Sequence, residues 1–258
     1  MALTVRYSTE ALLYPIIGFF GGLFLVFKGF SWLKRKRIIE DIPTSKVRSI
    51  AMGLVEVNGK AHPATKTVVT SPLTGKRCAH YLYKVEKYVQ SGKSGHWRTI
   101  KRGESTEPFF VQDETGKVLV DPTNAEAHVP MSYHSESRWG KDPEPAIRKF
   151  LEKENIRFEG ALFGANYTMR FREWVIGLND EVYVMGEAAD NPYVEEATAA
   201  KGVEDVMIKK GKDKILIISN KKEKQILNTL KLKAFGGIIG GILLSVICLA
   251  IVVAFITG

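Results

Sequence analysis

Two long uncharged runs, one near each end of the chain, constrain this sequence more than any other feature. The first, residues 11–27, reads ALLYPIIGFFGGLFLVF, and it extends to residue 33 when the Lys28 side chain reaches up to the membrane surface. The second, residues 234–256, holds no charge at all. At a rise of about 1.5 Å per residue, each run covers the roughly 30 Å hydrocarbon core of a bilayer. We therefore predict transmembrane helices over residues 11–33 and 234–257.

A cleaved signal peptide is the alternative interpretation of the first run. It requires a short apolar core followed by a small-residue cleavage site. Four consecutive basic residues follow the run instead, which favours a retained membrane anchor. The predicted organisation is a short tail over residues 1–10, the first helix, a domain over residues 34–233 and the second helix.

Basic residues flank both runs on the side of the domain, while the outer flanks hold only Arg6. The positive-inside rule then places the domain in the cytoplasm and both termini outside. Because this asymmetry accounts for much of the net charge of +9, the charge does not indicate a nucleic-acid partner. A solvated basic collar and a contact with anionic headgroups of the lipid bilayer both remain open. The candidate membrane-surface residues are Lys34, Arg35, Lys36, Arg37, Lys221, Lys222, Lys224, Lys231 and Lys233.

Closely spaced glycines occur in both apolar runs. Such spacing lets helix backbones approach each other, which predicts packing of the two helices together or of several copies in a homo-oligomer. Glycine is also common in spanning helices, so both interpretations of the pattern stay open. A leucine at Gly240 is expected to disrupt the assembly. The candidate packing residues are Gly18, Gly22, Gly236, Gly237, Gly240 and Gly241.

The domain between the runs has the composition of strands and turns. Asn58-Gly59 suits a tight hairpin turn, and residues 91–95 and 178–180 suit two further turns. Apolar spacings of three and four over residues 146–156 predict one short helix. The predicted fold class is α+β, a β-dominated membrane-proximal domain between two transmembrane helices. Strand-like segments are residues 47–57, 80–89, 97–101, 108–122, 171–187 and 214–219, with a surface excursion over 190–203 and a basic amphipathic helix over 221–233.

Patterns for metal, nucleotide and hydrolytic chemistry are weak. With 2 cysteines and 5 scattered histidines, the chain cannot build a four-ligand zinc site, so no metal and no cofactor are predicted. The Gly-Lys-Ser fragment at residues 92–94 lacks the glycine that a phosphate loop needs five positions earlier. Asp113, Glu114 and Asp121 do not have the spacing of a calcium loop, and no GxSxG elbow occurs.

Two side chains raise a chemical question. Cys78 with the nearby His80 would suit a thiol nucleophile and its base, a hypothesis that requires a lowered thiol pKa. A buried structural cysteine is the favoured interpretation. Glu173 lies beside Trp174 at the start of a strand, and a lone carboxylate more often caps or pairs than catalyses.

Several segments of the domain together resemble the GIDE family. These segments are SPLTGKRCAHYLYKVEKY from Ser71, Trp97, PFFVQDETGKVLVDPTNAE from Pro108, Phe150 with Leu151, and REWVIGLNDEVYVMGEA from Arg172. The family comprises membrane-bound mitochondrial ubiquitin ligases and prokaryotic relatives that carry a "beside a membrane" domain between two spans. The chain resembles a member without a RING finger.

In eukaryotic members a RING finger follows the second span and recruits the ubiquitin-conjugating enzyme. The 2 cysteines and 5 histidines here are fewer than the roughly eight ligands of a two-zinc RING. The resemblance therefore implies the membrane-proximal domain, and ligase activity is not expected. Mitochondrial members hold this domain in the intermembrane space, whereas the basic flanks here favour the cytoplasmic face. This combination looks like the prokaryotic branch and predicts a prokaryotic cell membrane as the location.

Three functional hypotheses follow. The leading one is a two-span integral membrane protein whose domain is a non-enzymatic binding, sensing or scaffold module for a protein partner, in a membrane stress response. The alternative is an E3 ubiquitin ligase-like component that relies on a separate RING partner for catalysis. The third is a hydrolase or peptidase using Cys78. Family-motif positions without an assigned catalytic role are Cys78, Tyr81, Tyr83, Asp113, Gly116, Asp121, Glu173, Gly186 and Glu187.

Overall fold

A computed structural model describes residues 9–64, 68–138, 141–158, 167–194, 205–211, 213–220 and 223–257. The chain divides into two compact units, one made of residues up to 42 and from 222 onward, the other of residues 43–221. The predicted surface excursion beyond residue 194, Lys221, Lys222 and the side chain of Lys224 lie outside what is described.

The described residues form three helices and twelve strands. The helices are α1 (Thr9–Glu40), α2 (Pro145–Lys153) and α3 (Glu223–Thr257), and a 3₁₀ turn covers Val47–Ser49. The first six strands are β1 (Gly53–Pro63), β2 (Val69–Thr70), β3 (Arg77–Ser91), β4 (Ser94–Glu104), β5 (Phe109–Gln112) and β6 (Lys117–Val120). The others are β7 (Glu126–His128), β8 (Met131–Ser137), β9 (Met169–Gly177), β10 (Glu181–Asp190), β11 (Val206–Lys209) and β12 (Ile217–Ser219).

Helices α1 and α3 form an antiparallel pair. Each contains a segment long and apolar enough to cross a membrane, Leu12–Glu40 in α1 and Leu227–Thr257 in α3. Both helices run past the bounds predicted for the spans, so residues 34–40 and 223–233 continue the helices. The Ser245 hydroxyl donates a hydrogen bond to the Phe19 carbonyl oxygen across the pair at 3.2 Å.

Glycines bring the two helix backbones close together. A Cβ added to Gly22 would lie 2.7 Å from the Gly241 carbonyl oxygen, and one added to Gly241 would lie 2.6 Å from that of Gly22. A Cβ at Gly18 would lie 2.6 Å from the Cys248 sulfur. Real Cβ atoms do not approach carbonyl oxygens this closely, so a larger residue at Gly22 or Gly241 would force the helices apart.

The other glycines of the GGIIGG motif divide between two sides of α3. Gly237 faces α1, because its added Cβ would lie 3.2 Å from the Trp32 ring. Gly236 and Gly240 face away, since no described atom lies within 4 Å of an added Cβ at either position. The sequence pattern groups all four glycines and predicts that a leucine at Gly240 disrupts the packing. Within the described pair, Gly241 is the position where that leucine would clash.

Five strands of the first sheet close into a barrel. The order around it is β1, β5, β6, β11 and β10, and β1 pairs again with β10 to complete the circle. Strand β12 pairs with residues 183–185 of β10, and β7 pairs with β12. Apolar side chains from every barrel strand, among them Val57, Phe109, Val120, Val184 and Ile208, fill the interior.

The predicted hairpin turn at Asn58-Gly59 is wrong. Both residues lie inside β1, where they pair with Tyr183 and Val182 of β10. A Cβ added to Gly59 would lie 2.4 Å from the carbonyl oxygen of Gln112. The glycine therefore permits the close approach of β5 to β1, and it makes no turn.

The second sheet forms a half-barrel. Its strands run in the order β2, β3, β9 and β8, and β4 pairs with β3 on the β2 side. Helix α2 packs against one face, where the buried side chains of Ile147, Phe150 and Leu151 meet Val85 and Phe171. Each such buried apolar side chain contributes about 1.5–3 kcal/mol, so α2 is held by this contact. The β-rich fold class and the short helix predicted from the sequence are confirmed.

Candidate functional site

Helix α2 covers one face of the half-barrel, and the other face is partly open. Successive residues of a strand alternate between faces, and the register pairs Leu82 with Trp174, Lys84 with Arg172 and Glu86 with Arg170. These side chains point away from α2. We call the surface that they form, together with their neighbours on β4, the outer face.

Glu86 lies at the centre of the outer face. Its side chain is only 4% exposed, yet it meets three cations. Arg172 donates to Oε2 at 2.5 Å, the Arg170 guanidinium donates to the same oxygen at 2.8 Å, and the Lys84 ammonium lies 2.8 Å from Oε1. Burial alone would raise the pKa of Glu86, but the hydrogen bonds from Arg170, Lys84 and Arg172 hold it at about 2. Glu86 is therefore ionised, and it fixes the three cations in place.

Aromatic rings hold the same arginines from the other side. The Arg170 guanidinium lies 4.3 Å from the centroid of the Trp97 ring, and that of Arg172 lies 5.7 Å from the Trp174 ring. The Tyr88 ring packs edge-on against Trp97 at 5.4 Å. Guanidinium groups stack well on such faces, so the cations are held in fixed positions.

A groove of about 640 Å³ lies between the outer face of β3, β4 and β9 and the residues around Asn124 and Lys210 on the barrel side. Leu82 and Trp174 supply apolar surface, and Lys84, Arg102 and Lys210 supply positive charge. Two hydrogen bonds hold the barrel-side wall in place at Asn124. Its backbone N–H donates to the Glu104 carboxylate at 3.3 Å, and its backbone carbonyl accepts from the Lys210 ammonium at 2.9 Å. The remaining lining residues are Tyr83, Gly103, Ala125 and Ala127.

Along β3, the outer face passes from covered to open. His80 is fully buried against the barrel, where its ring stacks with Phe109 at 6.3 Å. Its Nδ1 lies 2.8 Å from the Ser105 hydroxyl, while Nε2 has no partner among the described residues. Burial lowers the pKa of His80 to about 4, so the ring is neutral at physiological pH. The groove begins two residues further on, at Leu82.

The covered face holds a second buried glutamate, Glu173. Its carboxyl group accepts from the Leu73 amide at 2.8 Å, from the Ser71 hydroxyl at 3.1 Å and from the Thr74 hydroxyl. All three donors belong to the turn between β2 and β3, in which Gly75 adopts a φ of +69°. Glu173 thus fastens this turn to β9. The arrangement is that of a structural acceptor surrounded by neutral donors.

Cys78 lies at the start of β3 beside this turn and is fully buried. Burial raises the pKa of its thiol to about 11, and the negative charge of Glu173 acts in the same direction. A thiol nucleophile needs a lowered pKa. The surroundings of Cys78 therefore do not fit the hypothesis of a hydrolase using Cys78 with His80, whose Nδ1 lies 2.8 Å from the Ser105 hydroxyl.

A smaller cleft of about 320 Å³ lies between the same turn and α2, next to Tyr81 and Tyr83. The Tyr83 ring packs edge-on against Phe150 at 5.2 Å. Burial raises the pKa of both tyrosines, so their phenols stay protonated at neutral pH. Lys149, Lys153 and Glu154 of the α2 region complete the rim. Cys78, Tyr81, Tyr83 and Glu173, singled out in the sequence, thus come together on the covered face.

Asp113 and Gly116 form the turn between β5 and β6. The Asp113 carboxylate accepts from Thr115 and Gly116 within the turn and from the Val47 amide of the 3₁₀ turn at 2.9 Å. Burial opposes its ionisation, but these hydrogen bonds hold the pKa of Asp113 below its ordinary value. Asp121 accepts from the Thr123 amide at 2.9 Å in the next turn. Both aspartates therefore organise loops.

Gly186 and Glu187 lie on β10 in the barrel. A Cβ added to Gly186 would lie 2.8 Å from both Ile208 and Leu216, so only glycine fits between these side chains. The Glu187 side chain packs over Gly211. No three His, Cys, Asp or Glu side chains of the described residues are arranged to hold a metal ion.

Apart from Tyr83, the residues that line the groove are not the ones that the sequence singled out. Leu82, Lys84 and Trp174 belong to the family-motif segments, but nothing in their residue types distinguishes them from other strand residues. The available signal was the alternation of charged and aromatic residues along β3 and β9. Arg102 and Lys210 carried no local signal, because the fold alone brings β4 and the end of β11 beside β3.

Of the candidate membrane-surface residues, Lys34, Arg35, Lys36 and Arg37 lie in the last turns of α1, and Lys231 and Lys233 lie within α3. Lys36 forms an ion pair with Glu40 one turn later. These positions are in the unit formed by the two long helices.

Comparison with known proteins agrees with the family resemblance. A family model described as GIDE, E3 ubiquitin ligase, matches residues 79–254. The match runs from β3 through the half-barrel, much of the barrel and most of α3. No curated protein and no solved structure matches the chain.

Proposed function

The chain belongs to the GIDE family, and we propose that it is a two-span integral membrane protein whose β-rich unit is a non-enzymatic binding module. The groove on the outer face carries this proposal. It combines apolar surface, an aromatic ring and three cations in an open concavity of about 640 Å³. Sites that recognise ligands are concavities that combine apolar surface with a few fixed polar groups.

The groove suits binding because two of its three cations are held in place, Lys84 by Glu86 and Lys210 by the Asn124 carbonyl oxygen. Glu86 fixes Lys84 and Arg172, and Trp174 lies under the Arg172 guanidinium. A partner therefore meets side chains that lose little conformational freedom on binding. Within the described lining, the one carboxyl group is that of Glu104, which accepts from the Asn124 amide. The lining supports recognition better than acid–base chemistry.

We further propose that the unit faces the cytoplasm and that the basic residues of α1 contact anionic headgroups. The support is the positive-inside rule applied to residues 34–37, at the end of a helix long enough to span a bilayer. The partner is a protein, and a membrane stress response is the proposed context. A cysteine at Ser94, in the exposed β3–β4 hairpin tip, tests the orientation in intact cells. A membrane-impermeant maleimide should label it only after permeabilisation, and labelling of intact cells would reverse the proposed topology.

A second candidate function is favoured by the description of the matching family as E3 ubiquitin ligase. In this alternative, the chain is a component of ubiquitin-like protein modification. The groove recognises the substrate, and a separate RING protein supplies catalysis. The two functions share the groove and differ in the identity of the proteins that it meets.

Site-specific photocrosslinking of the full-length protein in its own membrane tests both functions. A benzoylphenylalanine at position 102 places the reactive group in the groove, since Arg102 is exposed and no ion pair is described for it. The same group at position 153, an exposed position on α2, is the matched control. We expect mass spectrometry to identify proteins captured from position 102 alone. A RING or ubiquitin-like protein among them would favour the second function, and identical captures from both positions would refute the binding groove.

A further inference from the structure

We propose that the groove takes an acidic peptide segment of a partner protein, with an aromatic or aliphatic side chain beside its carboxylates. This inference rests on the proposed binding function and names the ligand class for the same groove. It follows from the charge of the lining, from the apolar surface between the charges and from the open edge of β4.

The charge of the lining favours an anionic ligand. Three cations, Lys84, Arg102 and Lys210, face the groove against one carboxyl group, that of Glu104. Lys84 shares Glu86 with Arg170 and Arg172, so one carboxylate serves three positive charges just beyond the groove. Positive charge is therefore left over at this surface. Carboxylates of a partner would be attracted to it and would be fixed in register by it.

Arg172 supports the same conclusion at the level of single atoms. One terminal nitrogen of its guanidinium donates to Glu86, while its Nε is buried and has no hydrogen-bond partner among the described residues. Its side chain is 24% exposed, and its guanidinium lies 5.7 Å from the centroid of the Trp174 ring, next to the groove. A guanidinium with unused donors is a favourable partner for a carboxylate.

The apolar part of the groove selects the rest of the ligand. Leu82 and Trp174 lie side by side, because their backbones are paired across β3 and β9. Ala125 and Ala127 of the barrel wall face them with small side chains. An aromatic or aliphatic side chain would fill the space between, and its burial would add apolar contact to the ionic contacts.

The edge of β4 favours a peptide over a small anion. Arg102, Gly103 and Glu104 of β4 line the groove, and among the described strands β4 pairs with β3 alone. Its second edge therefore has backbone N–H and C=O groups open to an extended segment. A peptide can reach the cations, the apolar surface and this edge together. A phosphate group or a lipid headgroup would meet only the cations.

The test is a selection on the full-length protein held in nanodiscs of neutral phosphatidylcholine. A random dodecapeptide display library is selected on the wild-type protein and, in parallel, on Arg102→Glu. The control variant is Lys153→Glu, which makes the same charge reversal at an exposed position on α2. We expect the wild type and Lys153→Glu to enrich peptides rich in Asp and Glu with one Trp, Phe or Leu, and Arg102→Glu to lose this enrichment.

Binding constants then decide the outcome. A selected peptide, labelled with fluorescein, should bind at least about tenfold more weakly to Arg102→Glu than to the wild type, and equally well to Lys153→Glu. Replacing its Asp and Glu by Asn and Gln should cause a comparable loss. Enrichment of neutral or basic peptides, or no enrichment at all, would overturn the inference. So would stronger groove-dependent binding of phosphatidylglycerol vesicles or of tripolyphosphate than of any peptide.

Failure of this inference is distinguishable from failure of the proposed function. If position 102 captures a protein in the membrane and the captured segment is not acidic, the binding module stands and the acidic ligand is wrong. If position 102 captures nothing beyond the control, both are wrong.

Discussion

The two faces of the half-barrel each hold one buried glutamate, and the surroundings of the two side chains differ. Glu173, on the face covered by α2, accepts from a backbone amide and two hydroxyl groups of a single turn. Glu86, on the outer face, meets two arginines and a lysine that extend toward solvent. Neutral donors surround Glu173 completely, whereas the cations around Glu86 remain partly exposed to solvent.

Helix α3 shows the same contrast between a covered and an uncovered side. Gly237 and Gly241 face α1 at close contact, while Gly236 and Gly240 have no described neighbour. In both places, residues of one type have different surroundings, which depend on the side that is covered.

The largest expected effect is on the covered face of the half-barrel. Glu173→Ala leaves the Leu73 amide and the hydroxyls of Ser71 and Thr74 without their acceptor. Buried donors that lose their partner cost about 1–3 kcal/mol each, so we expect the free energy of unfolding to fall by about 4 kcal/mol. Urea denaturation in detergent micelles, followed by tryptophan fluorescence, measures it.

The matched variant for this prediction is Glu86→Ala. Its cations can turn to water on the open face, so the expected loss is smaller, about 1–2 kcal/mol. Equal losses for the two variants would show that the two glutamates do not differ in the way described.

The next effect is a pH dependence at His80, where the outer face is covered by the barrel. The pKa of His80 is about 4 in the folded protein and has an ordinary value of 6.5. Between these values the unfolded chain binds more protons, so stability falls as pH drops from 6.5 toward 4. The total loss is about 3 kcal/mol at full burial.

His80→Gln should remove this dependence, as measured by urea denaturation at a series of pH values. His96→Gln, at an exposed position, is the control and should keep it. A pH profile of His80→Gln as steep as that of the wild type would show that another group titrates in this range.

A moderate effect is expected on the contact side of α3. Gly241→Leu places a side chain against the Gly22 carbonyl oxygen, and overpacking of this kind costs about 1–3 kcal/mol. The matched variant Gly240→Leu adds the same side chain where no described atom lies within 4 Å. Disulfide formation between Gly18→Cys and Cys248 reports the distance between the helices. It should fall in Gly241→Leu and persist in Gly240→Leu, and the reverse result would mean that α1 packs on the other side of α3.

The smallest effect on stability is expected at the groove. Arg102 is exposed and no ion pair is described for it, so Arg102→Glu should change the free energy of unfolding by less than about 0.5 kcal/mol. The same urea titration measures this value. A large loss of stability would assign Arg102 to the fold, and the groove would then resemble the covered face.

Much of the fold could be predicted from local patterns. Alternation and turn residues located the strands around His80, Phe109 and Val182, and Asn179 does adopt a positive φ of 67° in the turn before β10. Strands β2, β7, β8 and β11 were not predicted because they are short or polar. Pairing with neighbouring strands, and not their own periodicity, makes these segments strands. Asn58-Gly59 was misread because a close backbone contact and a hairpin turn require the same residue type.

The candidate site was harder to predict from the sequence than the fold. Family-motif positions led to Cys78, Tyr81, Tyr83 and Glu173, which stabilise the turn and the covered face. The groove depends on Arg102 and Lys210, which lie far apart in the chain from each other and from Trp174. No local sequence pattern indicates that residues so far apart in the chain lie side by side.

By itself, the sequence determined the two apolar helices, the β-rich content and two of the three predicted turns, because these depend on composition and on contacts within a few residues. Only the tertiary structure decided which face of the half-barrel is covered and which side of α3 meets α1. A strand of period two has two equivalent faces. The choice between them is made when distant segments pack, as α2 does on one face of the half-barrel and the barrel does on part of the other.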